Sequence, residues 1–454
     1  MAEKNLNVDW KKYYQEHLVD LHTASMQIKP GDCVWLGQAC TIPYALLNEI
    51  YTHYEDYHDV ILYSNVMNQP ADMIFDPAVK KHIRMITTYN LPLERMSIDM
   101  NVMECGGMAY DLFQVGPYQY GCDFTAMCMC PPDEDGYCNL GVYGAATCAV
   151  LQNDPRIKRR IGVIDRNQYP APGDPDIIRV HVSQLDWIVE CDHDPCPIDA
   201  QPPTQIDKLI ASYILPYIHP GDKVQIGFGG LGEEILSHLK SIGQLEVYSE
   251  VACDNMAQLA EEGVLTHISC ASPGACSERF FKFASESGKV TFRSQPDMVD
   301  PLGVMKQENL VAINATFMCD LIGQCCSEAQ GLQPYSGPGG SFAYIYGAIR
   351  AKNGRSFLCL RSTYKDHDGV RHSNVLPWLP EGVIVTTPKV YVMYLVTEWG
   401  LADVFCKTLK DRIKAILKIA HPDFRQELKD KIVTTPLIKE DDFDGYDLFD
   451  NVQK

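Results

Sequence analysis

The pattern of hydrophobic and polar positions predicts a strand, a loop, a helix and a second strand between residues 222 and 249. DKVQI at 222–226 and LEVYS at 245–249 are typical of strands, and EEILSHL at 233–239 is typical of a helix. The loop GFGGLG at 227–232 can direct backbone N–H groups at an anion, and the second strand brings Glu250 to the same edge. A glycine turn alone is weak evidence, but a carboxylate placed at the next strand end strengthens it.

A similar pattern occurs earlier in the chain. IKPGDCVWLG at 28–37 and IHPGDKVQIG at 218–227 both place a Pro-Gly-Asp turn before an apolar strand that ends at a glycine. A helical stretch follows each segment, at residues 43–51 and 233–240. This repeat predicts two similarly built α/β domains.

The proline-rich stretch at 192–205 favours neither helix nor sheet, so it marks the boundary between the two domains. We therefore predict an N-terminal domain at 1–198 and a C-terminal domain at 199–454. Helical spacing at 206–217 opens the second domain. The charged stretch at 407–431 predicts a solvated outer helix near the end of the chain.

Composition narrows the classes of partner. The chain has 454 residues, of which 46% are hydrophobic, so it can bury full cores. Its formal charge is 39 − 59 = −20, which repels nucleic acid and anionic membranes. No apolar run approaches the length of a membrane span. We expect neither nucleic acid nor membrane as a partner, and an anionic ligand would need local N–H groups or local cations.

The cysteines predict reduced thiols. Eighteen cysteines in 454 residues are too few for a disulfide scaffold, and the first residues, MAEKN, do not resemble a signal peptide. We therefore expect a cytoplasmic protein. A metal site is not expected, because the ligand-like groups lack a second pair at zinc-site spacing. Those groups are Cys122, Cys128, Cys130 and Cys138 in one stretch and Cys191, His193 and Cys196 in another.

Several unusual segments follow one another in a specific order within residues 8–430. They are IKPGDCVWLGQA, PPDEDGYCNLGV, QIGFGGLGEEIL, VYSEVACDNMAQLAEEGV, VAINATFMCDLIGQ, SGPGG, VTEWGLAD and IAHPDFRQELK. Through them the sequence resembles the acetyl-CoA hydrolase/transferase family of class I CoA-transferases, which includes 4-hydroxybutyrate and butyryl-CoA:acetate CoA-transferases. The resemblance implies two open α/β domains of the CoA-transferase (NagB/RpiA-like) type, with the active site at the domain interface of a homodimer. It also implies coenzyme A, as acyl-CoA, and small carboxylic acids as substrates.

In that family a glutamate at this strand end is the nucleophile, and Glu250 is its counterpart. Attack on an acyl-CoA gives an acyl-glutamyl anhydride and CoA thiolate, and the thiolate then forms a glutamyl-CoA thioester. A second acid reverses these steps. The carboxylate must be ionised and shielded from water. Without the resemblance, Glu250 is equally well explained as a helix cap or a surface residue.

The resemblance assigns further residues to catalysis. The backbone N–H groups of Phe228 and of Gly340, in the second loop SGPGG at 336–340, would stabilise the oxyanions. Alone, SGPGG is an ordinary turn. Asn314 would donate to the glutamate or the substrate, and Glu398 would lie near the nucleophile. Asn314 could instead be a buried, satisfied amide, and Glu398 could cap the segment at 399–405.

The remaining residues that the resemblance assigns are expected to bind CoA or the acyl group. They are Gly227, Gly229, Gly230, Gly337, Gly339, Ser341 and Lys389.

Two departures from the family pattern affect the expected substrate. Where the family has Gly-Gly-Gln-x-Asp-Phe, this chain has GGSFAY at 339–344, with Ala343 replacing the aspartate. Lys389 replaces a family arginine and loses bidentate carboxylate recognition. We predict a less polar acyl pocket, lined by Phe342, Tyr344 and Tyr346, that favours longer or aromatic acids over hydroxy acids.

Two other interpretations stay open on the sequence. An acyl-CoA hydrolase could use the same Glu250, with water intercepting the intermediate. A CoA-binding subunit could have lost catalysis, because the second loop is altered.

Overall fold

The computed structural model describes residues 8–452 except 147, 196, 199 and 228. The chain divides into two compact units. Unit 1 contains Met1–Asp199, Glu250–Ala257 and His267–Asp300, and unit 2 contains Ala200–Ser249, Gln258–Thr266 and Pro301–Lys454. Helices and parallel sheets occur in both units, so the predicted α/β class is confirmed. The domain limits at 198 and 199 stay predictions.

The sheet of unit 1 is parallel and buried. The first strands are β1 Cys33–Gln38, β2 Val60–Asn65, β3 Ile83–Thr87, β4 Met103–Cys105, β5 Phe124–Met129, β6 Tyr137–Asn139, β7 Arg159–Ile164, β8 Arg179–His181 and β9 Trp187–Glu190. Seven of them form one parallel sheet in the order β4-β3-β2-β1-β5-β7-β9, and β6 pairs antiparallel with β8. β1 and β5 are buried at every position, as expected when both faces of a parallel sheet are covered.

The later strands are divided between the two units. They are β10 Lys223–Ile226, β11 Leu245–Ala252, β12 Leu265–Pro273, β13 Val290–Phe292, β14 Leu310–Ala315, β15 Met318–Asp320, β16 Cys325–Cys326, β17 Ala329–Gln330, β18 Gln333–Pro334, β19 Arg355–Cys359, β20 Thr363–Lys365, β21 Arg371–Ser373, β22 Val375–Leu376, β23 Tyr394–Thr397 and β24 Gly400–Asp403. In unit 2 the order is β11-β10-β14-β19-β23-β24, and the edge strand β24 is antiparallel to β23. In unit 1, Ile268–Cys270 of β12 pairs in parallel with β13.

The described residues form sixteen α-helices, two of which overlap the helices predicted at 43–51 and 233–240. They are α1 Trp10–His17, α2 Leu21–Ser25, α3 Tyr44–Thr52, α4 Pro92–Asp99, α5 Gly141–Gly144, α6 Cys148–Gln152, α7 Pro175–Ile178, α8 Gln205–Ile214, α9 Gly230–His238, α10 Asp254–Glu261, α11 Glu278–Glu286, α12 Gln295–Met298, α13 Pro301–Val304, α14 Ser341–Ala348, α15 Leu409–Ile419 and α16 Pro422–Ile432. The predicted helix at 206–217 ends early as α8, and a 3-10 turn at Leu215–Tyr217 follows it. Pro216 lacks the N–H that a continuing α-helix needs. None of the helices in the described ranges is long and apolar enough to cross a bilayer.

The tail differs from its prediction as one solvated outer helix. It forms two helices, α15 and α16, because Pro422 begins a new helix after His421. One face of each helix is buried in the core of unit 2, through residues such as Ile416 and Leu428. Arg425 is fully buried and donates to the carbonyl of Ala420 at 2.9 Å. Charge density alone was therefore a poor guide to exposure.

The repeated Pro-Gly-Asp turn has the same contacts in each unit. In unit 1, Asp32 accepts the backbone N–H of Lys29 at 2.7 Å and pairs with Arg159 at 2.6 and 2.9 Å. In unit 2, Asp222 accepts the N–H of His219 at 2.6 Å and pairs with Arg355 at 2.6 Å. Each arginine is the first residue of its strand, β7 or β19. The sequence repeat therefore extends to a repeated ion pair.

Glu94 is a carboxylic acid inside the core of unit 1. Its side chain is fully buried and accepts the backbone N–H groups of Met67 at 2.5 Å and Leu91 at 3.0 Å. Burial raises the pKa of Glu94 from 4.5 to about 7, although these N–H groups partly oppose the rise. The native state therefore holds this proton more tightly than the unfolded chain does.

We expect Glu94 to make stability fall as pH rises. Below about pH 4.5 both states are protonated, and between 4.5 and 7 the unfolded chain loses its proton first. The unfolding free energy of wild type minus that of Glu94→Gln should fall by about 1–3 kcal/mol from pH 5 to 8. Urea unfolding measures this difference. The exposed Glu16→Gln variant is the control, and a flat difference for Glu94→Gln would contradict the expectation.

Candidate active site

Glu250 lies on β11 and receives a hydrogen bond from a buried amide of unit 1. The Nε2 of Gln295 donates to Oε1 of Glu250 at 2.5 Å. Gln295 is 1% exposed and opens α12, and its backbone N–H donates to the carbonyl of Ala146 at 2.8 Å. Glu250 is itself partly exposed. Gln295, whose backbone is held by its hydrogen bond to Ala146, therefore positions the carboxylate of Glu250, which remains accessible to solutes.

A buried tyrosine also lies within electrostatic range of Glu250. Tyr110 begins a 3-10 turn, Tyr110–Leu112, that packs against α12. Burial raises the pKa of Tyr110 well above its usual value, and the charge of Glu250 raises it further. Among the described residues, its hydroxyl has no hydrogen-bond partner. Unit 1 therefore contributes an amide donor, Gln295, and a neutral phenol, Tyr110, to the neighbourhood of Glu250.

The first glycine loop lies between β10 and α9 in unit 2. Gly229 has φ +107°, a conformation that favours glycine. A Cβ on Gly230 would lie 2.9 Å from Cα of Pro203, so close packing requires glycine there. Gly227 is exposed, and Phe228 lies outside the described residues. Close packing thus explains why position 230 needs a glycine, and a role of Gly230 in ligand binding stays a prediction.

The second glycine loop leads into α14. Gly337, Gly339 and Gly340 are buried, and Gly339 has φ +56°. Gly340 precedes Ser341, the first residue of the helix, and its carbonyl accepts the N–H of Ala343 at 3.1 Å. Within the described part of the chain, the buried hydroxyl of Ser336 has no partner. The loop therefore combines the helix N-terminus with an unsatisfied hydroxyl.

Asn314 is a buried amide paired with another amide. Its Nδ2 donates to Oε1 of Gln225 at 2.8 Å, and Nε2 of Gln225 donates back at 3.4 Å. The two residues lie on the adjacent parallel strands β14 and β10. This geometry matches the alternative that Asn314 is a buried, satisfied polar residue.

Glu398 follows β23, and its carboxylate is held by one serine. The backbone N–H of Ser362 donates to Oε2 at 3.0 Å, and its hydroxyl donates to Oε1 at 2.5 Å. Both oxygens of Glu398 therefore help to fix the chain around Ser362. The structure thus assigns Glu398 a local role that the sequence did not predict.

The predicted acyl-pocket residues do not share one face of α14. Phe342 and Tyr346 pack with Tyr391 at ring-centroid distances of 5.6 and 5.3 Å, and the guanidinium of Arg350 lies 3.7 Å from the ring of Tyr346. Tyr344 is fully buried on the other side, because positions i and i+2 of a helix diverge. Tyr344 therefore lies apart from Phe342 and Tyr346, and the acyl pocket that the three were predicted to line stays a prediction.

Lys389 lies in a 3-10 turn, Lys389–Tyr391, beside this aromatic group. Its backbone carbonyl accepts a hydrogen bond from Arg412 at 2.7 Å, which fixes the turn. The side chain is partly exposed. The turn therefore places a cation and the ring of Tyr391 on one short segment.

Two of the ligand-like residues in the sequence meet in unit 1. Nδ1 of His193 lies 3.5 Å from both Cys128 Sγ and Asp165 Oδ2; Cys128 and Asp165 are buried, and 8% of the His193 side chain is exposed. The N–H of Ala45 donates to Nε2 of His193 at 3.2 Å, so the proton of the neutral imidazole must be on Nδ1. That proton occupies the lone pair that a metal would need. This cluster is therefore better explained as a hydrogen-bonded group.

The predicted residues are divided between the two units. Glu250 lies in unit 1, whereas Asn314, Gly340, Glu398 and Lys389 lie in unit 2. Gln295 is not identifiable from the sequence, because it is 45 residues from Glu250 and belongs to no recognisable motif. Tyr110 is not identifiable either, since an isolated tyrosine gives no signal of an unsatisfied hydroxyl.

Comparisons with known proteins agree with the predicted resemblance. The family model of the acetyl-CoA hydrolase/transferase C-terminal domain matches residues 276–432. The 4-hydroxybutyrate coenzyme A transferase of Clostridium kluyveri is 28% identical over 93% of this chain and 98% of its own length. The butyryl-CoA:acetate CoA-transferase of Anaerostipes caccae is 26% identical over 93% of this chain and 97% of its own.

A solved structure supports the fold over a similar length. The crystal structure of RipA from Yersinia pestis superposes with a TM-score of 0.84 at 24% identity, covering 95% of this chain and 100% of that chain. The predicted resemblance is thus confirmed. Over nearly its whole length the chain is similar to CoA-transferases, and its residues 276–432 match the model of the C-terminal domain of the acetyl-CoA hydrolase/transferase family.

Proposed function

We propose that this protein is an acyl-CoA:carboxylate CoA-transferase that uses Glu250 as its nucleophile. The observation that carries the proposal is the 2.5 Å hydrogen bond from the buried amide of Gln295 to Glu250. A hydrogen bond to the charged form favours ionisation, and a nucleophilic carboxylate must be ionised. The homologous CoA-transferases supply the class of reaction.

The proposed reaction conserves the energy of the thioester. A carboxylate oxygen of Glu250 attacks the acyl-CoA carbonyl, the C–S bond breaks, and CoA leaves as thiolate. The thiolate attacks the glutamyl carbonyl of the anhydride and releases the first acid, leaving a glutamyl-CoA thioester. The second acid attacks this thioester to form a new anhydride, and the thiolate then attacks its acyl carbonyl. The products are the new acyl-CoA and free Glu250, so no ATP is consumed.

The other assigned residues stabilise the oxyanions, support the site or bind the substrates in the proposed reaction. The N–H groups of Phe228 and Gly340 stabilise the tetrahedral oxyanions, each worth about 10²–10³ in rate. Asn314 and Glu398 support the site through Gln225 and Ser362. The remaining residues contact CoA or the acyl chain. They are Gly227, Gly229, Gly230, Gly337, Gly339, Ser341 and Lys389. The proposed working form is a cytoplasmic homodimer.

We expect Glu250→Ala to abolish transfer without unfolding the protein. Glu250→Asp should retain little activity, because the shorter side chain withdraws the carboxylate by about 1 Å from a geometry that tolerates less. Mass spectrometry of acyl-CoA products measures transfer from butyryl-CoA to acetate, and circular dichroism checks the fold. Near-normal turnover of either variant would contradict the nucleophile assignment.

The same assay separates transfer from hydrolysis. A transferase should release little free CoA when acetate is omitted, whereas a hydrolase should release it equally well in both cases. Reduction with borohydride after incubation with acyl-CoA should modify Glu250 only if the glutamyl-CoA thioester forms. Absence of this modification, together with absence of transfer, would favour a CoA-binding protein without catalysis.

We expect Gln295→Met to lower kcat/KM about 10- to 100-fold. A hydrogen bond to a charged group is worth about 1.5–3 kcal/mol, and each 1.4 kcal/mol corresponds to tenfold. Loss of the donor also removes a hydrogen bond that favours the charged carboxylate, so the acidic limb of the pH–rate profile should move to higher pH. Steady-state kinetics between pH 5 and 8 measures both effects.

A matched control is Gln426→Met. Gln426 is an exposed glutamine that also donates to a carboxylate, Oδ1 of Asp430, at 2.7 Å. This variant should leave kinetics unchanged. If Gln295→Met lowered the rate without moving the pH profile, Gln295 would be structural and would not act on the ionisation of Glu250.

We expect the enzyme to prefer longer or aromatic acids to hydroxy acids. Phe342, Tyr346 and Tyr391 offer apolar surface, and the family aspartate is replaced by Ala343. Initial rates with acetate, butyrate, hexanoate, 4-hydroxybutyrate and 3-phenylpropionate test this expectation. Phe342→Ala should reduce the rates with the larger acids most. Preference for 4-hydroxybutyrate would contradict the expectation.

A further inference from the structure

Three metal-ligating side chains converge on the surface of unit 1, outside the proposed catalytic residues. His22 lies in α2, Glu49 lies in α3, and His53 directly follows α3. Nδ1 of His22 is 2.9 Å from Oε1 of Glu49, and Nε2 of His53 is 3.3 Å from the same oxygen. The three ligand atoms all lie within 4.8 Å of one another. Two imidazoles therefore share one carboxylate oxygen.

The spacing fits a tetrahedral metal ion. Zinc binds nitrogen and oxygen at about 2.0–2.1 Å, and a tetrahedron of that size has edges of about 3.3 Å. The separations of 2.9 and 3.3 Å are close to this edge. Glu49 and His53 lie on one helix face because they are four residues apart. Three protein ligands would leave the fourth position to water.

The surrounding charge favours a cation. Glu55 and Asp56 follow His53 in the next turn, and Asp20 precedes His22 as the cap of α2. The whole chain has a formal charge of −20. His22 and His53 are partly exposed, with 56% and 36% of their side-chain surfaces accessible, so an ion can reach them from solvent. Unlike the buried group at His193, this cluster needs no backbone donor to be displaced.

We propose that His22, Glu49 and His53 form a binding site for a divalent transition-metal ion, with Zn²⁺ as the occupant that best fits the ligands. Binding would release any proton on the two ligating nitrogens and link α2 to α3. The competing explanation is a surface cluster held only by hydrogen bonds. The two differ in metal stoichiometry and in metal-dependent stability.

Isothermal titration of the full-length protein with ZnCl2, under conditions that keep the cysteines reduced, tests the site. We expect wild type to bind one equivalent more than the His22→Ala/His53→Ala double variant, and each single variant to bind that equivalent at least tenfold more weakly. Zn²⁺ should raise the melting temperature of wild type by more than it raises that of the double variant.

Two controls locate the bound ion. His367→Ala removes a histidine that is 89% exposed and outside the cluster, and Cys128→Ser removes the thiol of the buried group. Both should retain the equivalent that depends on His22 and His53. Equal stoichiometry and affinity in wild type and the double variant would overturn the proposal, as would loss of that equivalent in Cys128→Ser alone. Transfer activity is not the readout, so the result is independent of the proposed function.

Discussion

An ion pair between a turn aspartate and an arginine that opens a strand constrains the start of the sheet in each unit. Asp32 pairs with Arg159 in unit 1, and Asp222 pairs with Arg355 in unit 2. Each aspartate also accepts the N–H that closes its own turn. A largely buried carboxylate is costly unless such donors satisfy it. The pair therefore ties the start of β1 to the start of β7, and the start of β10 to the start of β19, across the one strand that lies between them in each sheet.

The donor to Glu250 is neutral, and this choice has a chemical consequence. An arginine in place of Gln295 would favour ionisation more strongly, but it would also neutralise the charge that makes the carboxylate nucleophilic. An amide supplies one hydrogen bond to the charged form without adding a charge. Because Gln295 is itself held through its backbone N–H to Ala146, the donor does not need to reorganise during the proposed reaction.

Local pattern was enough to predict the elements around Glu250, but not its neighbours. The strand at 245–249 and the helix after the glycine loop follow from side-chain periodicity, which acts over a few residues. Gln295 and Tyr110 approach Glu250 through tertiary packing of distant segments, which leaves no local signal. The tail was misjudged for the same reason, since Arg425 is buried by backbone acceptors that charge counting does not reveal. Helical periodicity, in contrast, could have excluded Tyr344 from the face of Phe342.

The buried pair of Asn314 and Gln225 limits how Asn314 can act in the proposed reaction. Gln225 is 3% exposed, so its carbonyl oxygen depends on the donor from Asn314 at 2.8 Å. If Asn314 turned that donor toward a substrate, Gln225 would be left unsatisfied at a cost of about 1–3 kcal/mol. A donor with that cost would weaken catalysis unless the substrate supplied a replacement acceptor. Asn314 therefore fits the proposed reaction best as the residue that holds β14 to β10 below the first glycine loop, where a shift of the strand would displace the loop amides.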